Sequence, residues 1–141
     1  MRKPNLIYIL ADDMGYGDIS ALNEHCGFKT PNLDEMAENG VCFTDAHATA
    51  AVCTPSRYGI LTGRYNWRSR LKSSVMGGYS EALIEKGRKT LADMLKENGY
   101  RTAMVGKWHL GMNFAKEEGF VEKPDAVFGR DPALRAGNMG F

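Results

Sequence analysis

Leu6, Ile7, Tyr8, Ile9 and Leu10 form an unbroken apolar run with β-branched and aromatic members, bounded by Pro4 and Asp12. A run without alternation predicts a strand buried on both faces. Residues 14–29 carry Gly15, Gly17 and Gly27 without a sustained period and read as loop. Pro31 opens a short helix with Leu33, Met36 and Ala37 on one face and Gly40 just past its end. Val41, Cys42, Phe43 and Thr44 give a second strand. After the small-residue loop at 46–52, Pro55 suits the first turn of a helix carrying Tyr58, Ile60 and Leu61. Residues 66–89 are polar and glycine-containing, hence mainly loop. From Thr90 to Asn98 the pattern is clearest: Thr90 can cap, Leu91, Met94 and Leu95 form an i, i+3, i+4 stripe, and Gly99 stops the helix. Residues 101–105 predict a third strand; beyond Gly106 the period fades, and 119–141 reads as an extended surface segment.

Strands alternating with helices predict an α/β domain with a largely parallel central sheet and flanking helices. No internal repeat, low-complexity tract or domain boundary is visible, and 141 residues suit one domain with a real core. A hydrophobic content of 43% with 25% charged residues argues against global disorder. The net charge of +1 supplies no field for nucleic acid or an anionic membrane, so neither partner is expected. Cys26, Cys42 and Cys53 form no C-x-x-C pair and no zinc spacing. Cys26 and Cys42 are expected to be small buried hydrophobes. No stretch approaches the ~20 apolar residues of a membrane span. Met1-Arg2-Lys3 before an apolar run imitates a signal peptide, but the run is short and leads into Asp12-Asp13 rather than a cleavage site. It reads as a buried strand; the chain is cytoplasmic by default, and exported if a leader precedes Met1.

Three clusters could carry chemistry. Asp12 and Asp13 follow the first strand, where ligands gather in open α/β sheets, and the glycines after them allow the turn that both carboxylates need to reach one ion. Such oxygen donors suit calcium or magnesium, although a strand ending in two aspartates is commonly just a solvated turn. Cys53 falls at the start of the helix opened by Pro55, where free amides and the helix dipole favour an anion, and Arg57 lies one turn on. Lys107 and His109 are two apart, so an extended backbone puts both on one side with Trp108 opposite, pairing a cation with a proton-exchanging group. His25, His47, Trp67, Lys116, Glu117, Glu118, Glu122 and Lys123 fit no motif and read as loop or solvated surface.

Cys53-Thr54-Pro55-Ser56-Arg57 followed by Thr62-Gly63-Arg64, with I-L-A-D-D-M-G-Y-G-D before it and G-K-W-H-L-G after it, resembles the type I sulfatases of the alkaline phosphatase superfamily. The resemblance implies that Cys53 is oxidised to formylglycine by a formylglycine-generating enzyme. It places calcium, ahead of magnesium, on Asp12, Asp13 and the modified Cys53. One hydroxyl of the aldehyde hydrate would attack the sulfur of a sulfate ester, an aryl sulfate or a sulfated glycan, leaving a covalent sulfate. His109 would deprotonate the other hydroxyl to expel sulfate, while Arg57 and Lys107 stabilise the hydrate and the developing charge. Asn138-Met139-Gly140-Phe141 resembles the start of a segment that the family continues as G-F-D-Y. A further histidine, an Asp-Asn pair and a sulfate-binding lysine of the family have no match. The chain is therefore expected to be the N-terminal part, 1–141, of an incomplete sulfatase-like catalytic domain, with very low activity alone and a tendency to aggregate. The alternatives are a phosphonate or phosphate monoester hydrolase of the same superfamily and a non-catalytic fragment.

Overall fold

The computed structural model describes residues 3–113. They fall into two compact units, divided in the sequence between His47 and Ala48. The expectations placed on 116–123 and 119–141, including Asn138 to Phe141, lie outside the described residues.

In the first unit the helix expected at Pro31 is present as α1, Pro31–Asn39, with Gly40 at its C-terminal cap. Thr30 precedes it without a side-chain cap, its carbonyl accepting from the Asp34 amide at 2.8 Å; the Thr30 and Ser20 hydroxyls both donate to the Asp34 carboxylate, at 2.7 and 2.5 Å, and the Ala21 amide donates at 2.9 Å. The Ser20 bond, then the Thr30 bond, holds the Asp34 carboxyl below the usual aspartate range. These bonds pin the preceding loop to the first helical turn. Leu33 and Met36 remain exposed, and no described residue of this unit is buried.

The second unit contains α2, Cys53–Thr62, a 3-10 turn at Asn66–Arg68 and α3, Leu91–Glu97. Pro55 sits at the third position of α2, where the missing N–H would have had no helical partner in any case. Gly63 ends the helix at φ 63°, its amide donating to the Gly59 carbonyl, a left-handed cap that glycine adopts without a Cβ clash. Thr90 caps α3 as expected, and Asp93 completes a capping box by accepting from the Thr90 amide. Tyr58, Met76, Leu83 and Leu110 form the core, with Leu61, Leu71, Ile84 and Trp108 packed against it. The Tyr58 hydroxyl donates to Glu85 at 3.0 Å, and Glu85 pairs with Arg64 at 3.2 Å and Arg88 at 3.3 Å. Burial, followed by the Glu85 carboxylate, raises the Tyr58 hydroxyl above its ordinary range.

Among the described residues one expectation has no counterpart and another is corrected. The strands expected at 6–10, 41–44 and 101–105 are not formed: the described residues contain no strand, Ile9 is 77% exposed and Val105 98%. A helix closes its hydrogen bonds within its own segment, whereas every bond of a parallel ladder comes from another strand. The helices are therefore formed among the described residues, and those residues show no sheet. Cys42, expected to be buried, is exposed for the same reason, since it lies on one of these unpaired stretches, and Cys26 is only half-buried.

Candidate active site

Cys53 is the first residue of α2, preceded by Val52 in extended conformation with no side-chain cap on the helix. The Ser56 hydroxyl donates to the Ala50 carbonyl at 2.7 Å, fixing the turn by which the chain enters the helix. Cys53 itself is half-buried and its thiol is free.

Against this first turn lies the segment 106–111. The Lys107 ammonium donates to Cys53 Sγ at 3.3 Å. Arg57, one turn along α2, donates from Nη1 to the Lys107 backbone carbonyl. Thr54 donates from Oγ1 to the His109 carbonyl at 2.9 Å. Three consecutive grips thus hold one loop on one helical turn, so the structure brings Cys53, Arg57 and Lys107 together and brings His109 to the residue beside Cys53. Behind the loop, Leu110 is fully buried in the core, and its carbonyl accepts from the Leu83 amide at 2.8 Å. Gly111 has φ 69°, and a Cβ there would stand 2.2 Å from the Glu81 carbonyl oxygen, so only glycine lets the two backbones approach this closely.

Alternation does not set the directions of Lys107 and His109 as expected. His109 has φ 53°, a left-handed conformation that breaks the extended register. Its Nε2 lies 2.8 Å from the Met76 carbonyl. Its Nδ1 is buried and has no hydrogen-bond partner among the described residues.

Asp12 and Asp13 lie in a turn of the first unit and are exposed. Within neither unit do three or more histidine, cysteine, aspartate or glutamate side chains gather as for a metal among the described residues. The donor set still suits a hard cation: two solvent-facing carboxylates offer oxygen alone, and calcium takes about six to eight oxygens, so further ligands are required. No helix among the described residues is long and apolar enough to cross a membrane.

Sequence reasoning gave no role to Thr54 or Met76. Thr54 stood inside a quoted motif, and Met76 is an apolar residue in a polar, glycine-containing stretch; that isolation was the one available signal.

The sequence model of the sulfatase family matches residues 4–135. An N-acetylgalactosamine-6-O-sulfatase of Bacteroides thetaiotaomicron is 51% identical over 111 residues, covering 79% of this chain and 21% of that protein. Arylsulfatase A of Homo sapiens is 42% identical over 111 residues, covering 79% and 22%. A solved structure from Bacteroides thetaiotaomicron, described in connection with the metabolism of multiple glycosaminoglycans, matches with a TM-score of 0.71 at 51% identity, covering 79% of this chain and 23% of its own. The chain spans about a fifth of the length of the curated relatives it matches.

Proposed function

Because this chain belongs to the sulfatase family, we propose that the protein carrying it hydrolyses sulfate esters, with a sulfated glycan as substrate class and position 53 as the source of the nucleophile. The substrate class is supported by the N-acetylgalactosamine-6-O-sulfatase at 51% identity. The observation that carries the reading is the Lys107 ammonium 3.3 Å from Cys53 Sγ at the start of an uncapped helix. A cation and free helical amides converge there on one side chain, a setting for an anionic ester.

Formylglycine made from Cys53 by a formylglycine-generating enzyme would supply a hydrated aldehyde, a nucleophile with a second hydroxyl in reserve. Calcium, held by Asp12, Asp13 and the modified position 53, would supply charge for the sulfate oxygens. The chain's own groups do the rest. Lys107 orients the side chain at 53 and opposes negative charge beside it. Arg57 fixes Lys107 through its backbone and adds a permanent positive charge. His109 takes up and returns a proton. In the same reading residues 6–10, 41–44 and 101–105 become strands of a largely parallel α/β sheet in the N-terminal part of a catalytic domain, which the apolar runs and the fold likeness support.

The test is mass spectrometry of the Cys53 peptide from the whole protein, co-expressed with a formylglycine-generating enzyme. Turnover of a 6-sulfated N-acetylgalactosamine, an aryl sulfate and an aryl phosphonate is then compared. An aldehyde at 53 with preferred turnover of the sulfated sugar is expected. An unmodified thiol, or preferred turnover of the phosphonate, overturns the proposal.

A further inference from the structure

We propose that Thr54 is a positioning residue for His109, fixing the imidazole with hydrogen on Nε2 and Nδ1 as its basic atom; this rests on the reading of His109 as the proton acceptor. Three hydrogen bonds close a ring through three separate chain segments. Thr54 Oγ1 donates to the His109 carbonyl at 2.9 Å. The Met76 amide donates to Thr54 Oγ1 at 3.2 Å. The imidazole Nε2 lies 2.8 Å from the Met76 carbonyl.

Chemistry fixes the polarity of each bond. A carbonyl oxygen only accepts, so Nε2 carries hydrogen. The threonine hydroxyl has one hydrogen, directed at His109, and a lone pair that receives the Met76 amide. Thr54 is fully buried, so water does not readily replace it. One segment, at Met76, therefore holds both the imidazole and the hydroxyl that holds the backbone of His109. The remaining ring nitrogen, Nδ1, is buried without a partner among the described residues. Buried polar atoms are seldom left so, and in the neutral Nε2–H tautomer this atom is a bare lone pair, ready for a proton. The left-handed φ of 53° at His109 points the same way. Such a conformation persists where surrounding bonds over-determine it, and the Thr54 bond acts on that residue's own carbonyl.

The whole protein labelled with 15N-histidine reports the tautomer through long-range 1H–15N correlations, with His109 assigned by the His109→Asn variant. Hydrogen on Nε2 alone is expected in the wild type, an exchanging pair of tautomers in Thr54→Val, and the wild-type pattern again in Thr54→Ser. At equal conversion of Cys53, checked by mass spectrometry, Thr54→Val lowers kcat on the sulfate ester by about a hundredfold with KM little changed, the scale expected of a misplaced catalytic group; Thr54→Ser restores it. Hydrogen on Nδ1 in the wild type overturns the proposal, as does a valine variant with an undisturbed tautomer and unchanged kcat. Should the valine variant fail to fold, the wild-type spectrum still decides between the two nitrogens. A Thr54-dependent tautomer in a protein inert toward sulfate esters upholds the clamp and overturns the sulfatase reading instead.

Discussion

Residues 48–113 and residues 3–47 put their apolar side chains to opposite uses. In the later unit Tyr58, Leu83 and Leu110 are almost completely enclosed, and each belongs to a segment that also carries a polar joint: Tyr58 to Glu85, Leu83 to the Leu110 carbonyl, Leu110 beside His109. In the earlier unit Leu6 to Leu10, Val41 and Phe43 stand exposed, and its order rests on hydrogen bonds, those around Asp34 and those of Gly15, Gly17 and Asn23 among them. The later unit joins loop to helix across 54 and 55 residues beside a buried core, whereas the Asp34 bonds span at most 14 residues with nothing buried around them. The catalytic candidates of the later unit are accordingly held by their surroundings.

The strongest way to break this contrast is to remove one apolar side chain from each unit. Leu110→Ala opens a cavity beneath the loop and is expected to destabilise the 141-residue chain by about 2–5 kcal/mol in urea denaturation followed by tryptophan fluorescence. Ile9→Ala in the 141-residue chain, at a position 77% exposed, is expected to change stability by less than about 0.5 kcal/mol. Equal losses would mean that the apolar run is enclosed in solution and that the contrast is wrong.

A smaller effect distinguishes two glycines. Gly111→Ala meets both a left-handed backbone and the Glu81 carbonyl and is expected to cost about 1–3 kcal/mol, read as a lowered Tm. Gly27→Ala has open space and no left-handed requirement, and is expected to be neutral or to stabilise by about 0.4–1 kcal/mol. Since Gly111 anchors the loop carrying Lys107 and His109, its variant also loosens the Lys107 contact with Cys53; Gly27 has no such reach.

The helices were legible in the sequence because their bonds and stops are local: Pro31, Gly40, Pro55, Thr90 and Gly99 announce themselves within a few residues. Strands at 6–10, 41–44 and 101–105 are apolar enough to be proposed, but a ladder depends on partners the local sequence does not name. The site divides the same way. Cys53 and Arg57 share a face through helical spacing, which is readable. That Lys107 reaches Cys53 follows in the sequence only from the family resemblance of the separated motifs, and that His109 turns to Met76 has no local signal. The left-handed backbone at a non-glycine residue defeated the alternation argument. Thr54 had no visible role because its partners lie 55 and 22 residues away.

The smallest effect sharpens the comparison, because each unit contains a threonine before a helix with an aspartate one turn on. Thr90 bonds its own helix: its hydroxyl accepts from the Asp93 amide at 3.2 Å while Asp93 accepts from the Thr90 amide at 2.9 Å. The Thr30 hydroxyl instead joins Ser20 and the Asp34 carboxylate and gives α1 no side-chain cap. Thr90→Ala should therefore weaken α3 by about 1 kcal/mol, seen as faster amide exchange at Met94, whose amide bonds the Thr90 carbonyl. Thr30→Ala should act mainly on the loop around Ser20. The bonds from the Thr90 backbone and then its hydroxyl hold the Asp93 carboxyl below its ordinary range. A lowered folded pKa contributes stability above the unfolded value, about 3.9, and that contribution disappears as pH falls through the folded value. The gap in exchange rate between wild type and Thr90→Ala should thus be full at neutral pH and shrink in strong acid. A gap that widened on acidification would show that the carboxylate is not the partner of Thr90.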